Sequence, residues 1–381
     1  MRTRAEPTSL ATLLTEEIRE HGLMTFADYM EACLYHPQYG YYSRPEQQPR
    51  RDYVTSVDVS PLFGRLLARQ FHEMWTEMSK PAHFWLVEAG AGTGILAKNI
   101  LDFAAEWFPE FYSALVYVAV ERSEARRSAQ AGFLESHIPH IGSGRFESSA
   151  DLPNEIAVGC IFSNELLDAF PVHRVVRQSS ELREIYVAFD EERGLHEKLG
   201  PLSSPRIAEY FAEQGITLHE EQQAEANLKA CEWIEDAGKR LERGFVLTID
   251  YGHSAAELYD ERHMRGTLLA YQRHRANEDY FHAPGEQDVT ALVNFTALDL
   301  WGGRSGLIRT GLTSQTNFLL SLVRHSNCLD LEPAGLNETE QARIRLLFKT
   351  LIHPEGMGET FQVFAQHKGI EWPRLAGFEQ L

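Results

Sequence analysis

The strongest chemical signal in the chain is the run Leu86-Val87-Glu88-Ala89-Gly90-Ala91-Gly92-Thr93-Gly94. An apolar run ends in an acid, three glycines follow at alternate positions, and a helix-like segment runs from Ile95 to about Trp107. Glycine accepts positive φ and lets a backbone approach a ligand closely. A strand, a glycine turn and a helix N-terminus in that order make a nucleotide-cofactor site. Gly92, Gly94 and Ala97 also satisfy the spacing GxGxxG/A, so the pattern alone leaves NAD open, and a lone match of this kind is weak.

Three acid-bearing positions bear on the choice. Glu88-x-Gly-x-Gly-x-Gly looks like the first motif of methyltransferases. An acid beside the turn can anchor the cationic amino-acid end of S-adenosylmethionine, whereas it would repel a pyrophosphate. Glu121 ends a second apolar run, where a carboxylate accepts ribose hydroxyls of either cofactor. A third run ends in Ser163-Asn164-Glu165-Leu166-Leu167-Asp168-Ala169-Phe170-Pro171. In an open parallel sheet the C-terminal strand ends line the ligand crevice. The bland alternative for each carboxylate is a solvated loop residue or a helix cap.

The elements that must position these residues are legible from periodicity. Leu10, Leu13, Leu14 and Ile18 mark a helix that Gly22 can end, and Thr25 begins a second short helix with Phe26, Tyr29 and Cys33. Ser60-Pro61 opens a helix whose apolar face is Phe63, Leu67, Phe71, Met74, Trp75 and Met78. From residue 84 strands and helices alternate, with strands at 84–88, 114–120 and 159–162 that read as buried on both faces. A hairpin is expected from 173–176 and 184–189. Residues 205–243 read as helical, with Leu228, Cys231, Ile234 and Leu241 as one stripe. Further strands are expected at 244–250, 267–271 and 361–366, with a long excursion between the last two.

Composition sets outer limits. The chain has 381 residues and is 43% hydrophobic, enough for one large domain or two smaller ones. A net charge of -19 disfavours nucleic acid, whose backbone needs Lys and Arg, and would suit a basic partner. Cys33, Cys160, Cys231 and Cys328 show no CxxC spacing, so no metal site is expected and the simple reading is free thiols in a reducing compartment. No stretch reaches bilayer length and the N-terminus lacks an apolar leader. A soluble, cytoplasmic protein is therefore expected, without a membrane partner; a homo-oligomer is left open.

With these residues in place, the chain resembles the MidA-like family of methyltransferases, which includes the mitochondrial arginine methyltransferase acting in respiratory complex I assembly. The resemblance rests on ordered blocks: Tyr35-His36-Pro37-Gln38-Tyr39-Gly40-Tyr41-Tyr42, Asp52-Tyr53-Val54-Thr55-Ser56, the glycine turn, residues 164–173, Asp250-Tyr251-Gly252-His253, Arg265-Gly266-Thr267-Leu268, Pro284-Gly285 leading to Asp288-Val289-Thr290, and Met357-Gly358-Glu359-Thr360-Phe361. Arg51, Tyr280 and Asn294 depart from the family pattern, Asn294 by replacing an aspartate.

The resemblance implies an α/β fold: a doubly wound, Rossmann-like methyltransferase sheet with an antiparallel last strand, an N-terminal helical segment and helical insertions. The implied organisation is an N-terminal segment and cofactor-covering loop over 1–80, core over 81–190, a helical insertion over 191–243, core over 244–272, a second insertion as substrate cover over 273–357, and a last strand and tail over 358–381. S-adenosyl-L-methionine is the implied cofactor, held by Glu88, Gly90, Gly92, Gly94, Glu121, Asn164, Thr55 and Ser56. The implied acceptor is an arginine of a protein substrate. Glu165 is the first catalytic candidate, because its segment is similar to a loop that carries a substrate-binding glutamate in other arginine methyltransferases. Asp168 is the nearest second acid, and Asp250 and His253 form a further pair. The alternatives are a small molecule or another side chain as the acceptor, or a non-catalytic assembly or binding factor on the same fold.

Overall fold

In a computed structural model the described residues are 9–43, 61–137, 146–272, 275–325, 337–353 and 360–379. They belong to two compact units, one of residues 54–166, 233–252 and 299–381, the other of residues 1–53, 167–232 and 253–298.

The first is the sheet unit. Helix α1 (Pro61–Glu77) precedes β1 (Phe84–Ala89), α2 (Ile95–Trp107), α3 (Pro109–Ala114), β2 (Leu115–Val120), α4 (Glu124–Leu134), β3 (Phe146–Ser149) and β4 (Ile156–Asn164). After the other unit's residues come β5 (Leu241–His253), β6 (Ile308–Ser314), α5 (Gln315–Arg324) and β7 (Phe361–Lys368). The strand order is β6-β7-β5-β4-β1-β2-β3. Strands β5, β4, β1, β2 and β3 are parallel, while β7 runs antiparallel to both β5 and β6. This is the doubly wound sheet with an antiparallel last strand. The chain winds outward in one direction from β1 to β3 and in the other from β4 to β5. The switch between β1 and β4 is where an open α/β sheet binds ligand.

Apolar sequence builds this arrangement directly. Both faces of the central strands are covered, so they read as unbroken apolar runs. Phe63, Leu67, Phe71 and Met74 of α1 are fully buried, and Phe71 meets Phe162 of β4 with ring centroids 4.7 Å apart. The centre of the sheet is closed by glycine. A Cβ on Gly159 would lie 2.1 Å from the Trp85 carbonyl oxygen, and one on Gly244 1.8 Å from the Gly159 carbonyl oxygen. These two positions are neighbours in the parallel register of β4 and β5.

The second unit holds two smaller sheets. In the first, Met24–Thr25, Glu181–Asp190, His173–Gln178 and Gln223–Ala226 lie in that order, and Gly194–Gly200 also pairs with Glu181–Asp190. The second joins Arg275–Asn277, Leu269–Gln272 and Asp288–Thr290. Helices Leu10–His21 and Phe26–Tyr35 contribute Leu10, Leu14, Phe26, Tyr29 and Met30 to a core shared with Val172, Val187 and Val289. The first of these helices ends where expected, at Gly22 with φ 91°.

Two expectations need correction. The stretch 191–243 is not wholly helical: Gly194–Gly200 and Gln223–Ala226 are strands, flanking helix Pro205–Glu213 and followed by helix Leu228–Arg240. Gln223-Ala-Glu-Ala has helix-forming composition, but its pairing with residues 173–176 overrides that preference. The stretch 273–357 is not all insertion, because Ile308–Ser314 is the edge strand β6 of the main sheet. Its residues are exposed or half-buried, so the apolar signature of a central strand is missing. Among the described residues no helix is long and apolar enough to cross a membrane.

The glycine contact at the sheet centre yields a direct test. Gly159→Val should destabilise the sheet unit by about 3 kcal/mol, since a β-branched side chain must displace the β1 backbone. Urea unfolding with an unchanged midpoint would refute this account of the β1–β4–β5 contact.

Candidate functional site

The site begins where β1 ends. The Gly90 and Ala91 amides both donate to the Val120 carbonyl at 2.9 Å, which ties the turn to the end of β2. Gly92 has φ 53° and Gly94, the N-cap of α2, has φ 89°. Among the described residues a Cβ on Gly92 would meet no atom within 4 Å, so this part of the turn is open on the side where a side chain would stand. Gly90 is confined: a Cβ there would lie 3.0 Å from Leu166 Cδ1.

Two carboxylates flank the turn in different states. Glu88 is buried, and Tyr117 on the neighbouring strand donates its hydroxyl to Glu88 Oε2 at 2.5 Å. Burial pushes the Glu88 carboxyl up to about 8; the Tyr117 hydroxyl opposes this and the Glu121 charge adds to it. Glu121 instead binds main chain. Its Oε2 accepts from the Gly92 amide at 3.0 Å and its Oε1 from the Ser123 amide at 2.8 Å. The acid at the end of β2 and the centre of the glycine turn are therefore joined.

The chain reversal after β4 stands beside this turn. In the β1–β4 register Ala89 pairs with Ser163, so Asn164 and Glu165 continue past the residue opposite the start of the turn. Asn164 Nδ2 donates to Glu165 Oε1 at 3.0 Å, while its Oδ1 is buried without a partner among the described residues. Glu165 adopts φ 52°, a left-handed conformation that costs a non-glycine residue on the order of 1–3 kcal/mol. Hydrogen bonds on either side hold it there. The Glu165 amide donates to the Ile249 carbonyl at 3.0 Å and the Leu166 amide to Asp250 Oδ2 at 3.1 Å. Asp250, fully buried, also accepts from the Tyr251 amide through Oδ1 at 3.0 Å. Its carboxylate thus binds main-chain amides across the ends of β4 and β5, a positioning geometry.

The sheet unit accordingly brings together Glu88, Gly90, Gly92, Gly94, Glu121, Asn164, Glu165 and Asp250. Asp168 and His253 belong to the second unit. Asp168 is buried in the short turn Leu167–Ala169, where Oδ2 accepts from the Thr290 hydroxyl at 3.1 Å. Burial lowers the pKa of His253, with the Glu257 charge opposing, so its imidazole is neutral near pH 7. Thr55 and Ser56 lie outside the described residues, as do residues 52–54. The N-terminal tyrosines pack within the second unit: Tyr41 is buried, Tyr35 donates to the Ala169 carbonyl at 3.0 Å, and Tyr42 donates to Asp288 Oδ1 at 2.8 Å.

Asn294, where the family pattern has an aspartate, is a buried hub of the second unit. Its Nδ2 donates to the Tyr210 hydroxyl at 2.9 Å and to Gln214 Oε1 at 2.8 Å, and its Oδ1 accepts from the Ala297 amide at 3.1 Å. Sequence reasoning missed Tyr117, Gln130 and Leu166. The first two are single polar residues within a strand and a helix, and only the fold shows what they touch.

Among the described residues, the open side of Gly92 and the unpartnered Asn164 Oδ1 fit a polar cofactor lying over the turn. Glu121 would receive ribose hydroxyls, and ionised Glu88 would favour a cationic amino group nearby. Comparison with known proteins agrees. A family model described as S-adenosyl-L-methionine-dependent methyltransferase matches residues 66–313. The mitochondrial protein arginine methyltransferase NDUFAF7 homolog of Drosophila melanogaster is 26% identical over 387 residues, covering 95% of this chain and 85% of its own. The mitochondrial protein arginine methyltransferase NDUFAF7 of Homo sapiens is 28% identical over 379 residues, covering 92% and 82%. A crystal structure from Burkholderia thailandensis bound to S-adenosyl-homocysteine superposes with TM-score 0.84 at 31% identity, covering 97% of this chain and 94% of that one.

Two expected outcomes test the turn. Affinity for S-adenosylhomocysteine, measured calorimetrically, should rise from about pH 6 towards about pH 8. The bound ammonium favours ionised Glu88, so binding releases a proton while the free carboxyl is protonated. Glu88→Gln should flatten that rise, and an equal slope in both proteins would remove Glu88 from this role. Gly92→Val should weaken the same binding by at least about 100-fold, because a β-branched residue both resists φ 53° and fills the open space. Retained affinity in the folded variant would show that ligand does not lie over Gly92.

Proposed function

Because the chain belongs to the S-adenosyl-L-methionine-dependent methyltransferase family, we propose that it methylates a guanidinium nitrogen of an arginine in a protein substrate. The observation that carries this reading is the Glu165 turn: a carboxylate-bearing residue held in a strained conformation and packed, through Leu166, against the cofactor turn at Gly90. The similarity to proteins named arginine methyltransferases, which spans 92–95% of this chain and 82–85% of theirs, supports it.

When bound, S-adenosylmethionine supplies an electrophilic methyl carbon. The residues of the chain supply position and charge. Arginine arrives as a cation, because its pKa is roughly 13. The Glu165 carboxylate accepts N–H bonds from the guanidinium, and such charge-assisted bonds orient one nitrogen in line with the methyl carbon. The N–C bond would form as the S–C bond breaks, leaving S-adenosylhomocysteine, and the alkylated nitrogen would pass its proton to the Glu165 carboxylate that holds it and from there to water. Holding the two reactants in line is worth on the order of 7–11 kcal/mol. In the proposed arrangement Asp250 acts through the backbone of the Glu165 turn.

The proposed compartment is the cytoplasm. Cys33, Cys160 and Cys231 are buried free thiols, which suits a reducing environment, although the curated relatives carry mitochondrial names. Fractionation of cells expressing the full chain decides between the two.

Incubating the protein with cell lysate and isotopically labelled S-adenosylmethionine should place label on arginine side chains, read by mass spectrometry. Glu165→Gln should lower that transfer by about 100-fold with cofactor affinity unchanged. Label found only in small metabolites would overturn the arginine assignment.

A further inference from the structure

The Gly92 peptide groups are gripped from two sides. Glu121 takes the amide; the carbonyl is taken by Gln130, whose Nε2 donates to Gly92 O at 3.0 Å. Gln130 lies on α4 and is fully buried. A side-chain amide can present either its NH2 or its oxygen to a neighbour, and only the NH2 suits a carbonyl. The Gly92 carbonyl, which can only accept, fixes that choice, and the Ser148 hydroxyl on β3 completes the arrangement by donating to Gln130 Oε1 at 2.5 Å. The Gln130 side chain also packs against the turn, its Cγ lying 3.5 Å from where a Gly94 Cβ would stand.

We infer that Gln130, oriented by Ser148, is a positioning residue that holds the Gly92 turn in its cofactor-binding conformation. Gly92 has no side chain, and a Cβ there would meet no atom of the described residues within 4 Å, so side-chain packing does not restrain it among them. Among the described residues, Gln130 and Glu121 are the side chains that hydrogen-bond to the Gly92 peptide groups. A turn held for only part of the time binds its ligand more weakly by that fraction. The inference rests on the cofactor of the family and is independent of the methyl acceptor.

S-adenosylhomocysteine titration tests it. Gln130→Met keeps the length and packing but removes the donor. It should raise the dissociation constant, and KM for S-adenosylmethionine, by about tenfold, with kcat at saturating cofactor within about threefold of native. Gln130→Glu gives a second readout. An ionised carboxylate repels the Gly92 carbonyl, whereas a protonated one can donate to it. The ratio of variant to native dissociation constants should therefore be large near pH 8 and approach one near pH 5. Ser148→Ala should give a smaller loss of affinity, and Ser148→Thr should retain it. Native affinity in a folded Gln130→Met protein, or a pH-independent ratio for Gln130→Glu, overturns the inference. If neither Gln130 variant folds, native affinity in Ser148→Ala overturns it.

Discussion

Everything at this site depends on the parallel pairing of Phe84–Ala89 with Ile156–Asn164. The pairing brings together two strands whose chain continuations leave in opposite directions, and so opens a gap above their C-terminal ends. Its register decides what stands at that gap: Ala89 beside Ser163 puts the glycine turn and the Asn164-Glu165 turn next to each other. A shift of one residue would turn each side chain to the opposite face of the sheet. The close approach at Trp85, Gly159 and Gly244 makes such a shift costly, because only glycine fits between those backbones.

Around that gap, carboxylates of one chemical type divide into distinct tasks by environment. Glu88 is buried beside a phenol and holds its proton unusually well. Glu121 and Asp250 accept main-chain amides and so act on backbone shape. Glu165 sits on a left-handed turn beside the cofactor loop. A list of acids in the sequence cannot make this division, since the distinguishing variables are burial and the partner of each oxygen.

The legible part of the fold was the part made of strong local signals. Unbroken apolar runs announced β1, β2 and β4, the glycine triplet announced the turn, and Pro61 announced α1. The late strand at Phe361 was also legible, and its antiparallel direction came from the family resemblance. Residues 223–226 and 308–314 were not legible as strands, because one has helix-forming composition and the other lies half-exposed at a sheet edge. Of the candidate site, Glu88, Glu121 and Asn164-Glu165 were visible as acids or amides at strand ends. Gln130 was invisible because its partner Gly92 is 38 residues away and nothing in helix periodicity marks a residue that faces a distant carbonyl.

Strain at Glu165 sharpens the reading of Asp250. A non-glycine residue at φ 52° returns to ordinary backbone unless its neighbours hold it. Two main-chain amides take part in this: the Glu165 amide donates to the Ile249 carbonyl, and the Leu166 amide to the Asp250 carboxylate. A hydrogen bond to a charged group contributes on the order of 1.5–3 kcal/mol, comparable with the strain it must offset. The geometry therefore gives the two acids different places: Asp250 accepts the Leu166 amide behind the turn, and Glu165 is what the turn presents.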